Sequence, residues 1–447
     1  MKKIIILFIL LVSNLKAENG LQFNIDNADI NKTNIIFEQP SNPIVDRIYN
    51  IIRNNLSTTN LFQFQMSGNI FTGIEYKDSI SNSELIEMII DKYRDSNTDA
   101  VLTSYIKNEN ENGDFELVIR FFDILDQREL FFQSYLINAS DYKRTSIMIA
   151  DKIYENLTNE ISGHFDSKVL FVSETGTIKN RKKRIVIMDF DGSNLRYLTD
   201  GDNLVLTPIF SKFNRNELVY LEYVNKFPNL FKLNLLNRTK QKIGKDNEMT
   251  FAPNFHPNGV NEMLYSVSKS GHTNIYKINF DTNRVTRLTD LNAINTSPSY
   301  SPDGEQIVFV SDKSGSRRLY VMDSNGKNTK QISRGNIGEY DKPSWSPDGR
   351  LISFVKIERG NFYIGLMTPD GENERLPVSA YLIDGIRWSP NGRYLIYSKQ
   401  SNAFGSSSIP HLYIFDILTN HEFKLNTPSD QGASDPDWIM KDQIFYQ

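Results

Sequence analysis

Along most of the chain, short runs of apolar and aromatic residues alternate with stretches of Asn, Asp, Gly, Ser and Pro. Three eight-residue segments are close copies that end in Pro-Asp-Gly or Pro-Asn-Gly: residues 297–304, 342–349 and 385–392. A weaker copy spans residues 252–259, and degenerate copies begin at Pro208 and Pro436. The corresponding first positions are 208, 253, 298, 343, 386 and 436, so the successive spacings are 45, 45, 45, 43 and 50.

Each period has the pattern of four short strands. An aromatic-bearing strand leads into the Pro-Asx-Gly turn, where proline presets φ and glycine adopts a conformation that side chains resist. Second, third and fourth strands follow. Examples are residues 306–310 for a second strand, residues 319–322 for a third and, in the preceding period, residues 287–289 for a fourth. A four-stranded unit with this period is typical of propeller blades.

The count of strands predicts how the ring closes. Second, third and fourth strands occur six times from residue 169 onward, whereas the six first strands begin later and end at residues 436–438. The C-terminal strand should therefore complete the first blade beside residues 169–172, which removes open sheet edges. We predict an all-β six-bladed propeller of four-stranded antiparallel blades, closed by the C-terminal strand, over residues 166–447.

Residues 18–165 lack the repeat and predict an α/β domain with a small mixed sheet. One helix is expected over residues 44–56, a second after the capping-box pair Ser81 and Glu84, and a third that buries Ile149, Ile153 and Leu157. The predicted strands are residues 21–25, 34–37, 100–105, 116–122 and 129–136.

The first 17 residues have the pattern of a secretory signal peptide. Lys2 and Lys3 precede nine apolar residues, 4–12, and a small residue, Ala17, follows. Nine residues are too few to cross a bilayer as a helix. Cleavage after Ala17 and export to the periplasm are therefore expected.

Composition excludes several kinds of chemistry. The chain has no Cys, which excludes thiolate catalysis and Cys-ligated metals, and its net charge of −4 argues against nucleic-acid binding. It has no G-x-S-x-G motif, and none of its five His residues has H-E-x-x-H spacing. We expect no catalytic residue, metal or cofactor. The alternative is a propeller-type hydrolase or carbohydrate-binding protein with its site in the central channel.

These features together resemble the TolB family, the periplasmic propellers of the Tol–Pal system. The order of signal peptide, short α/β domain and six repeats ending on a Pro-x-Trp strand carries the resemblance. Local matches are residues 18–26, residues 157–173 around the domain junction, and the Asn295-Thr296-Ser297-Pro298 loop. Residues 444–446 depart from the family, which commonly stops soon after the Pro-x-Trp strand.

The resemblance implies a non-enzymatic, monomeric protein that reaches the membrane only through its partners. It would bind the peptidoglycan-associated lipoprotein Pal through the propeller and TolA through the N-terminal segment. It would thereby maintain outer-membrane integrity and constriction at division.

The Pal-binding surface is predicted where the links between blades enter the first strands, because these loops vary and converge on one channel mouth. Thr296 is placed there by the family's N-T-x-P loop, and Tyr340 is the expected anchor because buried aromatics dominate interface energetics. The hypothesis names Thr296, Met249, Thr250, Tyr340 and Asp341. The alternative for Thr296 is that its hydroxyl only caps the turn.

The TolA-binding segment is predicted in residues 18–26, where apolar and polar residues alternate. Such a segment can add to the edge of a partner's sheet or dock on its own protein. The residues named by this hypothesis are Glu18, Leu21, Phe23, Ile25 and Asp26. A plain first strand of the N-terminal domain explains the same pattern.

Overall fold

The structure is a computed structural model that describes residues 32–38, 42–68, 82–110, 113–138, 142–158, 164–176, 180–214, 216–245, 248–290, 292–335, 337–402 and 409–440. The predicted signal peptide, the predicted strand at 21–25, Ser81 of the capping box and residues 444–446 lie outside these ranges. Within them, no helix is both long and apolar enough to cross a membrane.

The N-terminal part is an α/β unit built on one five-stranded mixed sheet, as predicted. Its elements in chain order are β1 (Thr33–Glu38), α1 (Pro43–Ser57), β2 (Phe62–Ser67), α2 (Asn82–Tyr93), β3 (Ala100–Glu109), β4 (Phe115–Asp123), β5 (Arg128–Ile137) and α3 (Tyr142–Thr158). The strand order is β2-β1-β3-β4-β5, with β1 parallel to both of its neighbours and the remaining pairs antiparallel.

Local chemistry explains where the helices begin and which side they bury. The side chain of Asn42 accepts a hydrogen bond from the backbone N–H of Ile44 (2.7 Å), and Pro43 occupies the first helical turn of α1. The predicted buried face of α3 is confirmed, since Ile149, Ile153 and Leu157 are almost fully buried. Helices α1 and α3 pack against each other in the main hydrophobic core.

The rest of the described chain forms six antiparallel four-stranded blades, as predicted. From the channel outward, blade 1 is β29 (Gly432–Met440), β6 (Ser167–Thr175), β7 (Lys182–Asp189) and β8 (Arg196–Tyr197). Blade 2 is β9 (Val205–Phe210), β10 (Glu217–Val224), β11 (Phe227–Asn234) and β12 (Lys240–Ile243). Blade 3 is β13 (Met249–Phe255), β14 (Glu262–Lys269), β15 (His272–Asn279) and β16 (Arg284–Arg287).

The remaining three blades repeat this order. Blade 4 is β17 (Asn295–Tyr300), β18 (Gln306–Ser311), β19 (Arg318–Asp323) and β20 (Lys330–Gln331). Blade 5 is β21 (Glu339–Trp345), β22 (Ile352–Glu358), β23 (Asn361–Met367) and β24 (Arg375–Ala380). Blade 6 is β25 (Leu382–Trp388), β26 (Tyr394–Gln400), β27 (His411–Asp416) and β28 (Glu422–Lys424).

The ring closes through the C-terminal strand. Strand β29 pairs antiparallel with β6, with Trp438 opposite Val169 and Ser434 opposite Val172. Strand β29 also contacts the first strands of blades 2 and 6. Blade 1 is thus assembled from both ends of the propeller sequence, which is the arrangement that the strand count predicts.

Each first strand carries one aromatic residue at or near its end, on the side of the turn face. These six residues are 9% exposed or less: Phe210, Phe255, Tyr300, Trp345, Trp388 and Trp438. The indole N–H of Trp388 donates to the carbonyl oxygen of Ser344 in the neighbouring blade at 3.0 Å. Packing between blades therefore accounts for the aromatic repeat, and the buried rings do not form an exposed platform for sugars.

Because the four strands of a blade alternate in direction, the propeller has two different faces. We call the face with the Pro-Asx-Gly turns the turn face, and the opposite face, where each link enters a first strand, the link face. The N-terminal unit packs at the turn face of blades 1 and 6, where His164 contacts Tyr394 and Trp438 with ring centroids 4.5 and 6.1 Å away.

Candidate docking site at the link-face channel mouth

All six first strands carry a β-bulge at the same level of the channel. In every blade the pairing between the first and second strands shifts there. One residue of each bulge has a positive φ, between 42° and 64°, and these six residues form what we call the bulge ring: Thr207, Ala252, Ser297, Lys342, Gly385 and Asp435. Only Gly385 adopts this conformation without strain, since a side chain costs roughly 1–3 kcal/mol there.

The sequence shows why the ladder breaks at this level. In five blades the bulge residue precedes a buried proline, and in blade 6 Gly385 precedes Ile386. Proline has no N–H to donate and is tolerated in sheets mainly at edges and bulges. The bulge is therefore a property of the repeat, and it turns the preceding part of each strand toward the link-face mouth.

The side chains around this mouth divide it into two unlike halves. The residue before each bulge residue is half-buried, and these six are Leu206, Phe251, Thr296, Asp341, Asp384 and Ser434. In blades 2, 3 and 4, neither the bulge residue nor the residue before it is charged. Blades 5, 6 and 1 contribute Asp341, Lys342, Asp384 and Asp435 at the equivalent positions.

The charged half is held together by one cation among carboxylates. The ammonium group of Lys342 forms an ion pair with Asp384. Burial alone would lower the pKa of Lys342, but the carboxylates of Asp384 and Asp435 outweigh it and raise this pKa. Asp435 is 9% exposed, and its pKa is raised by burial and by the nearby Asp384 carboxylate, although Lys342 partly offsets both effects.

A second ion-pair group borders this half on its outer side. Arg317 pairs with Glu339 (2.6 Å) and with Asp341 (3.0 Å). Burial acts to lower the pKa of Arg317, but its hydrogen bond to Glu339 and the two carboxylate charges raise it. Asp341 is thereby fixed in orientation while its side chain remains 21% exposed.

The structure brings most of the predicted Pal-binding residues to this mouth. Thr296 is half-buried in β17, and its hydroxyl lies 3.3 Å from that of Ser266 in blade 3. Met249 is half-buried at the start of β13. Asp341 lies in the charged half. These three residues have surface that a partner can reach.

Thr250 and Tyr340 are placed differently. Thr250 is fully buried, and its hydroxyl oxygen accepts a hydrogen bond from the N–H of Leu230 in blade 2 at 2.7 Å. Tyr340 is also fully buried, packs on Phe354, and donates its hydroxyl to Glu374 at 2.8 Å. An anchor must be reachable, so in this conformation the ring of Tyr340 supports the mouth from within the blade.

Sequence reasoning did not single out Lys342, Asp384 and Asp435 as site residues. Two of them, Lys342 and Asp435, immediately precede the repeated proline, and Asp384 precedes the equivalent Gly385. Charged residues one or two positions before the repeat were therefore the sequence signal that could have identified these site residues. The five predicted TolA-binding residues, Glu18 to Asp26, lie outside the described residues.

The described residues contain no group of three or more His, Asp or Glu side chains placed to hold a metal ion. His256, which replaces the serine of the other turn copies, accepts a hydrogen bond from the N–H of Asn258 at 3.3 Å and packs against Tyr300. These contacts give His256 a structural role at the turn.

A family model described as the TolB β-propeller domain matches residues 154–441, which include all six blades and the bulge ring. The chain belongs to the TolB β-propeller family. The matched region begins in helix α3 and ends just after β29, so the TolB-type ring includes the closing strand.

Two solved TolB structures are similar to the chain. TolB from Acinetobacter baumannii is 22% identical, with a TM-score of 0.75, over 93% of this chain and 98% of that chain. At this identity the match shows the fold, and it extends over the α/β unit as well as the propeller. The putative TolB from Agrobacterium tumefaciens is 17% identical over 61% of this chain and 98% of that chain, with a TM-score of 0.46.

Proposed function

We propose that this TolB-family protein is a periplasmic, non-enzymatic docking component of the Tol–Pal system that binds Pal at the link-face mouth of its propeller. The bulge ring carries the proposal. Five side-chain-bearing residues are held at positive φ around one channel, and strained backbone of this kind concentrates at functional sites. The repeat maintains the positive φ in every blade, whereas the side chains that it presents differ from blade to blade.

The division of the mouth into a neutral and a charged half suits recognition of one particular partner. Thr296 and Met249 offer a polar-apolar surface in the neutral half, and Asp341 with the Lys342–Asp384–Asp435 cluster offers directed charge. Electrostatic complementarity of this type favours the correct orientation of a partner and disfavours wrong partners. Thr250 and Tyr340 keep the two halves in place from inside the blades.

The N-terminal segment supplies the second partner in this proposal. Residues 18–26 would bind TolA as an added strand, so that the mature chain, with domains at residues 18–165 and 166–447, connects two envelope proteins. Maintenance of the outer membrane and its constriction during division would follow from holding both partners. A periplasmic location is supported by the predicted signal peptide and by the family.

The Pal site is tested by measuring the affinity of the purified mature protein for Pal. Thr296→Arg places a long cation in the neutral half and should weaken binding at least about tenfold, because a central contact of about 1.4 kcal/mol or more is lost. The matched control is Glu305→Arg, an exposed residue of the same blade on the turn face. Loss of affinity in both variants, or in neither, would place the site elsewhere.

A second substitution separates binding from folding at the same residue. Thr296→Val removes the hydroxyl that faces Ser266 but keeps the shape of the side chain. If the hydroxyl only caps the local backbone, Thr296→Val lowers the melting temperature and leaves Pal affinity unchanged. The TolA proposal is tested separately by deleting residues 18–26, which should abolish TolA binding while Pal binding is retained.

A further inference from the structure

The sheet of the N-terminal unit ends in a long strand whose outer edge pairs with no described segment. Strand β5 comes last in the order β2-β1-β3-β4-β5, and it pairs antiparallel with β4. Outside that pairing, no backbone hydrogen bond joins β5 to another described residue. Such an edge presents a row of N–H and C=O groups with which a further strand can pair.

This edge lacks the features that usually block the addition of a strand. Native proteins protect a free edge with charged residues, proline, a bulge or a short strand. The one shift in the pairing of β5 with β4 lies at Leu130, near the start of the strand. Residues 131–137, which follow, pair regularly and contain neither proline nor a charged residue. At about 3.3 Å per residue they offer roughly 23 Å of edge to a partner strand.

On one side of the sheet, the edge exposes two large apolar side chains. Phe132 is 56% exposed and Leu136 is 80% exposed. This is the side on which Phe122 of β4 packs with α2. The guanidinium of Arg120 lies 5.2 Å from the centroid of the Phe132 ring and pairs with Glu129 at 2.6 Å, so this ring is held in a defined position. An added strand would cover Phe132 and Leu136, and burial of their apolar surface would stabilise the complex.

On the other side of the sheet, a groove of about 330 Å³ lies between β5 and α3. Strand β5 contributes Gln133 and Tyr135 to its lining. Helix α3 and the segment that follows it contribute three carboxylates and one ammonium group: Asp151, Glu155, Asp166 and Lys152. The ammonium group of Lys152 lies 3.9 Å from Glu155. Carboxylates therefore outnumber cations along this side of the edge.

The two sides of the edge together define the segment that fits it. Successive side chains of an added strand point to opposite sides of the sheet. Those on the α3 side would face the carboxylates of the groove, and those on the α2 side would face Phe132 and Leu136. The complementary sequence therefore alternates cationic with apolar residues.

We propose that the β5 edge is a docking site for an extended segment of a partner protein in which Lys or Arg alternates with apolar residues. The segment adds as a sixth strand of the sheet, with its cations over the groove and its apolar side chains against Phe132 and Leu136. Main-chain hydrogen bonds supply affinity in this mode of binding, and the alternate side chains supply specificity. The site lies on the N-terminal unit, which packs at the turn face, so the link-face mouth remains free.

A second copy of this chain fits the edge less well than a basic partner does. If two β5 edges paired antiparallel about a two-fold axis, the two α3 helices would lie on the same side of the continuous sheet. The carboxylates of Glu155 and Asp166 from the two copies would then lie on one side of the joint, where like charges repel each other. The charge of the groove thus disfavours self-association through this edge.

Two synthetic peptides, each as long as the 10 residues of β5, test the charge of the partner. One alternates Lys with Val and the other alternates Glu with Val, and the fluorescence anisotropy of each labelled peptide is followed during titration with the purified mature protein. We expect the Lys peptide to bind at least about tenfold more tightly at low ionic strength, because its cations face the carboxylates of the groove. Salt should reduce this difference. Equal affinities, or no measurable binding of the Lys peptide, would overturn the proposal.

The peptide backbone distinguishes strand addition from a loose electrostatic contact. The N–H groups of alternate residues point to the same edge of a strand, so one residue type of the peptide donates to β5 and the other does not. Methylating the backbone nitrogen of all Lys or of all Val residues should abolish binding in one case and leave it nearly unchanged in the other. Hydrogen exchange of residues 131–137 should slow when the unmethylated Lys peptide is bound. Equal effects of the two methylations, or no protection of β5, would contradict the addition of a strand.

A matched pair of substitutions locates the site. Gln133 and Gln63 are both exposed and lie in the two edge strands of the sheet, β5 and β2. Gln133→Lys places a cation in the groove and should weaken binding of the Lys peptide at least about fivefold, whereas Gln63→Lys should leave it unchanged. Circular dichroism and the melting temperature check that both variants fold. Equal losses would place the peptide elsewhere, and self-association of the free protein that protects residues 131–137 would make a second copy the occupant. Either result overturns the proposal.

Discussion

The hydroxyl oxygens of Tyr154 and Tyr394 lie 3.0 Å apart, and this hydrogen bond joins helix α3 to the second strand of blade 6. Both side chains are fully buried. The guanidinium of Arg393 lies against both rings, 5.7 and 5.4 Å from their centroids, and pairs with the buried Asp416 at 2.8 Å. The junction between the α/β unit and the propeller is thus a polar network enclosed by aromatic rings.

This hydrogen bond can be measured by a double-mutant cycle. Tyr154→Phe and Tyr394→Phe should each lower the free energy of unfolding, because each leaves the other buried hydroxyl short of a partner. The double variant should lose less than the sum of the two, with a coupling of about 0.5–1.5 kcal/mol in urea-induced unfolding. Strictly additive losses would mean that the two hydroxyls do not act as a pair.

His164 makes the junction sensitive to pH. It is buried among Tyr154, Phe165, Tyr394 and Trp438, and neither ring nitrogen has a hydrogen-bond partner among the described residues. Burial, assisted by the charge of Arg393, lowers its pKa to about 3 from the ordinary value of 6.5. The unfolded chain therefore binds more protons than the folded chain between these values. The stability that comes from neutral His164 is complete above pH 6.5 and is lost as the pH falls toward 3.

Asp151 acts in the opposite direction in the same part of the fold. Its carboxylate accepts the N–H groups of Phe165 and Asp166, both at 2.8 Å, but burial raises its pKa to about 7 from 3.8. The folded chain therefore keeps this proton between pH 3.8 and 7, and the contribution of Asp151 to stability increases as the pH falls. The opposite effects of His164 and Asp151 on the pH dependence of the free energy of unfolding partly cancel in the parent protein.

Replacing His164 separates these effects. His164→Phe should raise the free energy of unfolding at neutral pH by about 1–3 kcal/mol, since the unpaired nitrogens are removed from a cluster that accepts another aromatic ring. As the pH falls from 6.5 to 4, titration of His164 should lower the free energy of unfolding of the parent by up to about 1.4 kcal/mol per pH unit. The variant should not show this loss. Parallel stability profiles for the two proteins over this range would show that His164 does not titrate on unfolding.

The repeat predicted the blades because one pattern recurs six times and each turn has its own chemistry. Strand β2 was not predicted, although residues 62–67 alternate between apolar and polar side chains. Its partner is the distant β1 in a parallel pair, so no hairpin turn marks it in the sequence. The bulge ring was also not predicted, because Thr207 and Ala252 are residue types that rarely adopt a positive φ.

The burial of Tyr340 follows from the same bulge. Side chains of a strand alternate between its two sides, but an extra residue shifts the alternation by one. The shift in blade 5 lies between Asp341 and Ser344, so the side to which Tyr340 points cannot be counted back from Trp345. The position of each predicted Pal-binding residue relative to the mouth therefore needed the structure, whereas the prediction of the link face rested on the repeat alone.

Thr250 and Tyr340 should prove to be supporting residues rather than contacts. Thr250→Val removes the acceptor of the buried Leu230 N–H and should cost about 1–3 kcal/mol of stability. Tyr340→Phe removes the hydrogen bond to Glu374 and should cost about 0.5–1.5 kcal/mol. Pal affinity, measured well below the melting temperature, should change less than about threefold in either variant. A loss comparable to that of Thr296→Arg would make Tyr340 the anchor after all.

Export should leave a defined mature N-terminus. Lys2, Lys3 and the nine apolar residues that follow predict recognition as a signal peptide and cleavage after Ala17. Mass spectrometry of the protein recovered from the periplasmic fraction should find a chain that begins at Glu18. A full-length chain retained with the membrane fraction would contradict both the signal peptide and the assignment of residues 18–26 to the mature N-terminus.

Closure of the ring should make the C-terminal strand essential to the stability of the whole propeller. Trp438 is 2% exposed, stacks on Phe190 with centroids 5.4 Å apart, and donates its indole N–H to Ser167 at 2.7 Å. Deleting residues 434–447 removes this ring and leaves β6 as an unpaired edge inside the channel, so aggregation should increase. We expect a loss of at least about 3–5 kcal/mol, the usual cost of removing one buried aromatic side chain.

A shorter deletion gives the matched control for this prediction. A chain that ends at Met440 keeps all of β29, so it should retain nearly the full melting temperature and remain monomeric. Residues 434–440 supply seven of the nine residues of β29, the strand that pairs with β6 in blade 1. If both deletions melted at the temperature of the parent chain, strand β29 would not be what closes the ring.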